Sequence, residues 1–173
     1  MRKALLLTAL FLSFTINGMG QITIPNTHVQ FSFPNGGWKY LNTTEVDKNT
    51  TIYLYTYAAR NVVDEFGDTV LPNLRIYVKQ QYNNDMYQLS FDRFNQLPFQ
   101  TLDEFKTTQI KNALGIIGAY RNPMDDKDYE FRAVYLKEGT TAIEFRTETT
   151  VDTFDAFDKE FQQIIATLKT NTR

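Results

Sequence analysis

Residues 128–149 read DYEFRAVYLKEGTTAIEFRTET, and this stretch decides the fold. Its first half alternates, and the residues on one side are Tyr129, Phe131, Ala133 and Tyr135. In its second half, Ile143 and Phe145 oppose Glu144, Arg146 and Glu148. Because side chains alternate between the two faces of a strand, the pattern predicts strands at 128–137 and 140–149, joined at Glu138-Gly139.

An amphipathic helix is predicted directly after this hairpin, with Asp152 or Thr153 as its N-cap. Apolar residues recur at a helical spacing: Phe154, Phe157, Phe161, Ile164, Ile165 and Leu168. Such a stripe is one face of a helix that packs against a core. We expect this helix to cover the sheet.

Three earlier segments, at 28–33, 51–57 and 73–81, also alternate and are predicted strands. The polar stretch 42–50 is expected to be a loop, and 58–72 a long hairpin connection. The order of elements predicts an α+β domain with a largely antiparallel sheet covered by helices.

The middle of the chain is less regular. The segment 82–100 fits no single period, so we expect a loop with one helical turn near 90–96. Thr101 and Glu104 have the spacing of a capping box. An irregular apolar stripe follows at Phe105, Ile110, Ala113, Leu114 and Ile117. This pattern predicts a helix that begins at Thr101.

Three features together resemble the PsbP-like superfamily. They are the turn FSFPNGGW at 31–38, the aromatic hairpin at 129–145 and the terminal helix at 157–168. The resemblance spans nearly all of residues 22–169. It implies an α/β/α sandwich with a central, mostly antiparallel sheet. It also implies a binding or accessory role, since the family has no shared catalytic residue set.

Residues 1–20 have the pattern of an export signal. Arg2 and Lys3 precede an uncharged stretch at 4–16, and Gly18 and Gly20 stand at the −3 and −1 positions before Gln21. We expect removal of this segment and a single domain at 21–173. No cysteine follows it to carry a lipid, so the domain is expected to be soluble, in the periplasm or outside a bacterial cell.

Composition excludes several function classes. The chain has 20 Asp+Glu against 18 Lys+Arg, whereas a nucleic-acid binder or a protein docked on anionic lipid would show a basic surface. It has no cysteine, and His28 is its only histidine. Beyond residue 20 the only serines are Ser32 and Ser90. We therefore expect no cofactor, no metal site and no enzymatic activity.

Two acidic clusters, at 64–68 and 125–130, could gather oxygen ligands for calcium. Their spacing does not match a calcium loop, so solvated turns are the favoured interpretation.

The candidate binding surface is a stripe of aromatic rings. Tyr53, Tyr55 and Tyr57 share one face of a predicted strand, and Arg75, Tyr77 and Lys79 of the return strand could join that face. Tyrosine and arginine are enriched at binding surfaces. The alternative interpretation is that a helix covers the three rings.

The favoured function is an exported accessory protein that binds another exported protein through its sheet edge or this tyrosine face. A periplasmic immunity protein or inhibitor is an alternative, because an acidic surface can speed association with a basic target. A binder of a small apolar molecule and a small hydrolase with an unrecognised site remain open.

Overall fold

A computed structural model describes residues 20–107 and 109–170 of the chain. The predicted export signal lies, except for Gly20, outside these residues. The elements in chain order are β1 (Ile22–Thr23), β2 (Val29–Phe31), β3 (Trp38–Asp47), β4 (Thr50–Tyr57), β5 (Val62–Val63), β6 (Thr69–Val70), β7 (Asn73–Lys79), α1 (Met86–Gln96), β8 (Gln100–Phe105), β9 (Leu114–Asn122), β10 (Lys127–Glu138), β11 (Thr141–Thr150), α2 (Val151–Ala166) and β12 (Lys169–Thr170).

A seven-stranded antiparallel sheet forms the body of the protein, in the order β3-β4-β7-β11-β10-β9-β8. The hairpin of β10 and β11 lies inside this sheet and pairs from Tyr129 opposite Thr150 to Glu138 opposite Thr141. The predicted hairpin and the α+β class are therefore confirmed. Smaller sheets are formed by β1-β2-β12 and by β5-β6.

Each face of the large sheet is covered by one helix. One face of the sheet, called the α2 face, packs against α2 and β2, and the core on this side includes Tyr55, Ile76 and Phe145. The six apolar residues predicted to face the core from the terminal helix are all buried there. The opposite face, called the α1 face, packs against α1, and Leu89 of α1 contacts a cluster that includes Phe131 and other buried residues of the sheet.

The helix predicted from Thr101 is wrong, because residues 100–105 and 114–122 form strands. Thr101 pairs with Gly118 and Glu104 with Ile116. Gly118 lies so close to β10 that an added Cβ would be 2.5 Å from the ring of Phe131. Pairing with the sheet thus overrides a local helical signal, and Gly118 permits the close approach of the two strands.

Residues 82–100 contain a full helix rather than a loop. Asp85 caps α1, and its side chain accepts a 2.8 Å hydrogen bond from the Gln88 backbone N–H. The apolar residues of α1 are divided between the buried Leu89 and the exposed Tyr87 and Phe91. This division explains why no helical period is visible in the sequence.

The loop expected at 42–50 is also wrong, because β3 continues to Asp47. Residues 39–47 are exposed along the edge of the sheet, so their polarity reflects their position at the edge. The N-cap of α2 is Thr150, which makes no side-chain capping bond, rather than Asp152 or Thr153. Within the described residues, no helix has the length and apolarity needed to cross a membrane.

Candidate functional site

The three tyrosines of the predicted binding stripe lie on the α2 face, where Tyr55 is buried and Tyr53 and Tyr57 are half-buried against the core. Tyr55 is 8% exposed and meets Phe31 edge-on, with 5.7 Å between ring centroids. Tyr57 lies 5.1 Å from the Phe157 ring of α2. Burial, with a contribution from Tyr40, raises the pKa of Tyr55 to about 12. Tyr55 therefore belongs to the packed interior, and Tyr57 contacts the covering helix.

Arg75, Tyr77 and Lys79 lie on the opposite face, so the expected union with the tyrosine stripe is wrong. Directly paired residues of antiparallel strands share a face, and Arg75 pairs with Leu54 whereas Tyr55 pairs with Leu74. A register offset of one residue places every side chain of a strand on the other face. The pairing register of β4 and β7 could not be predicted from the sequence of either strand.

The α1 face holds a chain of five alternating charges. Arg93 Nε of α1 lies 2.6 Å from Glu144 Oε2, and Glu144 Oε1 lies 2.8 Å from Arg146 Nη2. Glu148 follows on the same strand, with Oε2 3.7 Å from Arg146 Nη1 and Oε1 3.0 Å from Arg75 Nη2 of β7. Because residues i, i+2 and i+4 line one face of a strand, β11 supplies the middle three groups.

Aromatic side chains enclose these charges. The Tyr135 hydroxyl donates to Glu144 at 3.2 Å, and the Tyr120 hydroxyl donates to Glu148 at 3.1 Å. The guanidinium of Arg146 lies 4.2 Å from the centroid of the Phe131 ring. The side chains of Arg146, Glu144 and Glu148 are each only 1% exposed. The middle of the network is therefore shielded from bulk solvent.

The network keeps Glu144 ionised. Burial alone raises the pKa of this carboxyl group, but Arg146 and Arg93 outweigh burial and lower the pKa to about 2. Burial together with Glu144 raises the pKa of Tyr135, which keeps that hydroxyl a hydrogen-bond donor. Glu144 therefore stays ionised and Tyr135 stays neutral at physiological pH.

A groove of about 520 Å³ opens at the Arg75 end of the network. Its lining includes apolar residues of the sheet and of the segment after β6, namely Leu41, Leu54, Val70 and Leu71, together with Thr56 and Asn73. The Arg75 side chain is 32% exposed there. A β-bulge interrupts the pairing of β3 between Tyr40 and Asn42, and Leu41 at this bulge lines the groove.

The β5–β6 hairpin is tied to the sheet beside this groove. Lys127 forms ion pairs with Asp64 and with Asp68, the latter at 2.8 Å. The Lys127 ammonium holds the pKa of Asp64 below its ordinary value. The predicted acidic cluster at 64–68 therefore serves as the anchor of a hairpin. Within the described residues, no group of three or more His, Asp or Glu side chains is arranged to hold a metal ion.

His28 precedes β2, Ser32 follows β2, and Ser90 lies on α1. His28 is exposed, and its Nδ1 lies 2.9 Å from Glu138 Oε1. Ser90 is buried on α1, and the Ser32 backbone bonds to Thr167. The members of the charge network that sequence reasoning missed are Arg93, Glu144, Arg146 and Glu148. The alternating charges of β11 on an otherwise buried hairpin were the available signal.

Comparison with known proteins finds a likeness of fold. No protein-family model matches the sequence, and no curated protein matches it. Among solved structures, LpqN of Mycobacterium tuberculosis is similar with a TM-score of 0.52 and 12% sequence identity, over 82% of this chain and 82% of LpqN. LpqN is described as involved in cell envelope biogenesis. At this identity the likeness concerns the fold.

Proposed function

We propose that this chain is an exported, soluble, non-enzymatic binding protein of the cell envelope that acts by contacting another exported protein. Three observations support the proposal. The first 20 residues have the pattern of an export signal. The fold is shared with LpqN, a protein of cell envelope biogenesis. The sequence resembles the PsbP-like superfamily, and this resemblance implies an accessory role.

The observation that carries the proposal is the groove beside the exposed edge strand β3. Leu41 and Leu71, at 47% and 57% exposure, place apolar surface at the groove, and Arg75 adds a partly exposed guanidinium. Apolar groups around an arginine are typical of protein-binding surfaces. The buried acids and bases of the network bind each other, which favours recognition over catalysis.

Site-specific cross-linking in the native host tests the proposal. A photoreactive phenylalanine analogue replaces Leu41 on β3, and a matched variant carries it at Leu102 on β8. The two leucines are 47% and 48% exposed and lie on opposite edge strands. We expect an exported protein to be cross-linked at position 41 and not at position 102. The same protein, once purified, should bind the wild type and lose affinity for Leu41→Asp.

Equal cross-linking at the two positions, or none at position 41, would refute the proposed surface. Cell fractionation tests the export part separately. The protein should be recovered from the periplasm or the medium with Gln21 as its first residue, and a protein that stays in the cytoplasm would contradict it.

A further inference from the structure

We propose that the groove recognises a carboxylate: an acidic residue of the partner protein, flanked by apolar residues, binds to Arg75. This inference rests on the proposed function, and it names the chemistry of the contacted segment. It follows from the order of charges in the network, from the two arginines that face each other across the sheet and from the lining of the groove.

The buried network is one negative charge short. Its order is Arg93, Glu144, Arg146, Glu148, Arg75, so three cations enclose two anions. The Arg93 end is closed, because its Nη1 donates to Gln96 and its guanidinium stacks over the ring of Tyr77. The Arg75 end reaches the groove. The position that would continue the alternation with an anion is therefore in the groove.

The two arginines at the groove end of the network face each other across the sheet. Arg75 and Arg146 are direct cross-strand partners, an arrangement in which like charges destabilise a sheet. Arg146 is 1% exposed and does not line the groove, so Arg75 alone of the two presents its guanidinium there. A carboxylate on Arg75 would offset the repulsion and accept bidentate hydrogen bonds.

The lining of the groove selects among anions. Asp68 and Asp125 lie at the Lys127 end, so a dianion such as phosphate would meet two carboxylates as well as Arg75. A monoanion matches the single excess positive charge of the network. Leu41, Leu54 and Leu71 offer apolar contacts on the same lining. A carboxylate between apolar side chains fits these features better than an inorganic anion.

A peptide titration followed by NMR tests the inference. The probes are the capped tripeptides Leu-Glu-Leu and Leu-Gln-Leu, which differ in one charge, and inorganic phosphate. Charged hydrogen bonds contribute roughly 1.5–3 kcal/mol, which corresponds to an affinity ratio of about 10 or more. We expect Leu-Glu-Leu to bind the wild type about 10-fold more tightly than Leu-Gln-Leu, with shifts at the Arg75 side chain.

Two variants localise the effect. Arg75→Gln should abolish the difference between the peptides. Lys79→Gln, which removes a cation from the same strand and the same face outside the groove lining, should preserve it. Because the peptide comparison uses the wild-type protein, it decides the inference even if a variant fails to fold.

Equal affinities for the two peptides would overturn the inference, as would tighter binding of phosphate. The two proposals can fail separately. Cross-linking at position 41 with equal peptide affinities would overturn carboxylate recognition alone. A clear preference for Leu-Glu-Leu without cross-linking would support carboxylate recognition and overturn the proposed protein-binding surface.

Discussion

The substitution Glu144→Gln tests whether the buried network contributes to stability through charge. Glu144 stands between Arg93 and Arg146 and is 1% exposed. Glutamine keeps the shape of the side chain and removes the negative charge. Both arginines then face a neutral amide in a site from which water is excluded.

The pKa of Glu144 gives the magnitude. It falls from an ordinary 4.5 to about 2, after the attraction of Arg146 and Arg93 has outweighed burial. Each pKa unit corresponds to ~1.4 kcal/mol, so the ionised form stabilises the fold by about 3 kcal/mol relative to the neutral form. Removing one partner of a buried ion pair costs roughly 3–5 kcal/mol, which agrees. A loss of about 3 kcal/mol lowers Tm by roughly 6–12 °C.

Urea denaturation followed by the fluorescence of Trp38 measures this loss. Trp38 is the only tryptophan and is 3% exposed, so its emission reports on the packed α2 face. Glu45→Gln is the control, because Glu45 is exposed on β3. Its free energy of unfolding should stay within about 0.5 kcal/mol of the wild type.

The pH dependence provides the refuting result. Because the folded pKa is lowered, the stabilisation by Glu144 is present above pH 4.5 and is lost as the pH falls through about 2. The difference between the wild type and Glu144→Gln should therefore shrink between pH 4.5 and pH 2. A difference below about 1 kcal/mol at pH 7, or one that does not change with pH, would refute the electrostatic reasoning.

Three further substitutions or titrations test the packing. Gly118→Ala should destabilise by more than about 1 kcal/mol, because its Cβ would be 2.5 Å from the Phe131 ring, whereas Gly36→Ala has open space and should change little; thermal unfolding compares the two. Phe161→Ala, fully buried on α2, should cost roughly 3–5 kcal/mol in urea denaturation, and a cost below about 1 kcal/mol would contradict its place in the core. In an alkaline ultraviolet titration, Tyr55 should ionise near pH 12, so the free energy of unfolding should fall above about pH 10. A pKa near the ordinary value of 10 for Tyr55 in the folded protein would contradict its burial.

The elements that sequence reasoning identified are those with an uninterrupted period. β11 and the middle of β10 are buried, α2 buries one face, and their alternating or helical patterns are regular. The elements at the edges were missed. β3 is exposed along residues 39–47 and β8 along residues 100–104, so neither shows a buried face. Edge strands are held by backbone pairing with a neighbour, which hydrophobic periodicity does not report.

The site was missed for a different reason. The prediction grouped Arg75 with the tyrosines of β4, although the pairing of β4 and β7 places it opposite Leu54. Both strands were predicted, but the expected pairing was offset by one residue, which placed Arg75 on the wrong face of the sheet. Pairwise register depends on the turn and on packing across the sheet, neither of which a single strand encodes.

The alternating charges of β11 are the sequence feature from which the buried network could have been predicted. In a strand covered on one side only, charged residues at every second position are expected to face water. β11 is buried on both faces from Thr141 to Thr150, so Glu144, Arg146 and Glu148 must be matched inside the protein. Their count leaves one arginine in excess once Arg93 and Arg75 are included. Arg75, which is paired with Glu148 at 3.0 Å and is 32% exposed, is the member of the network that reaches the groove.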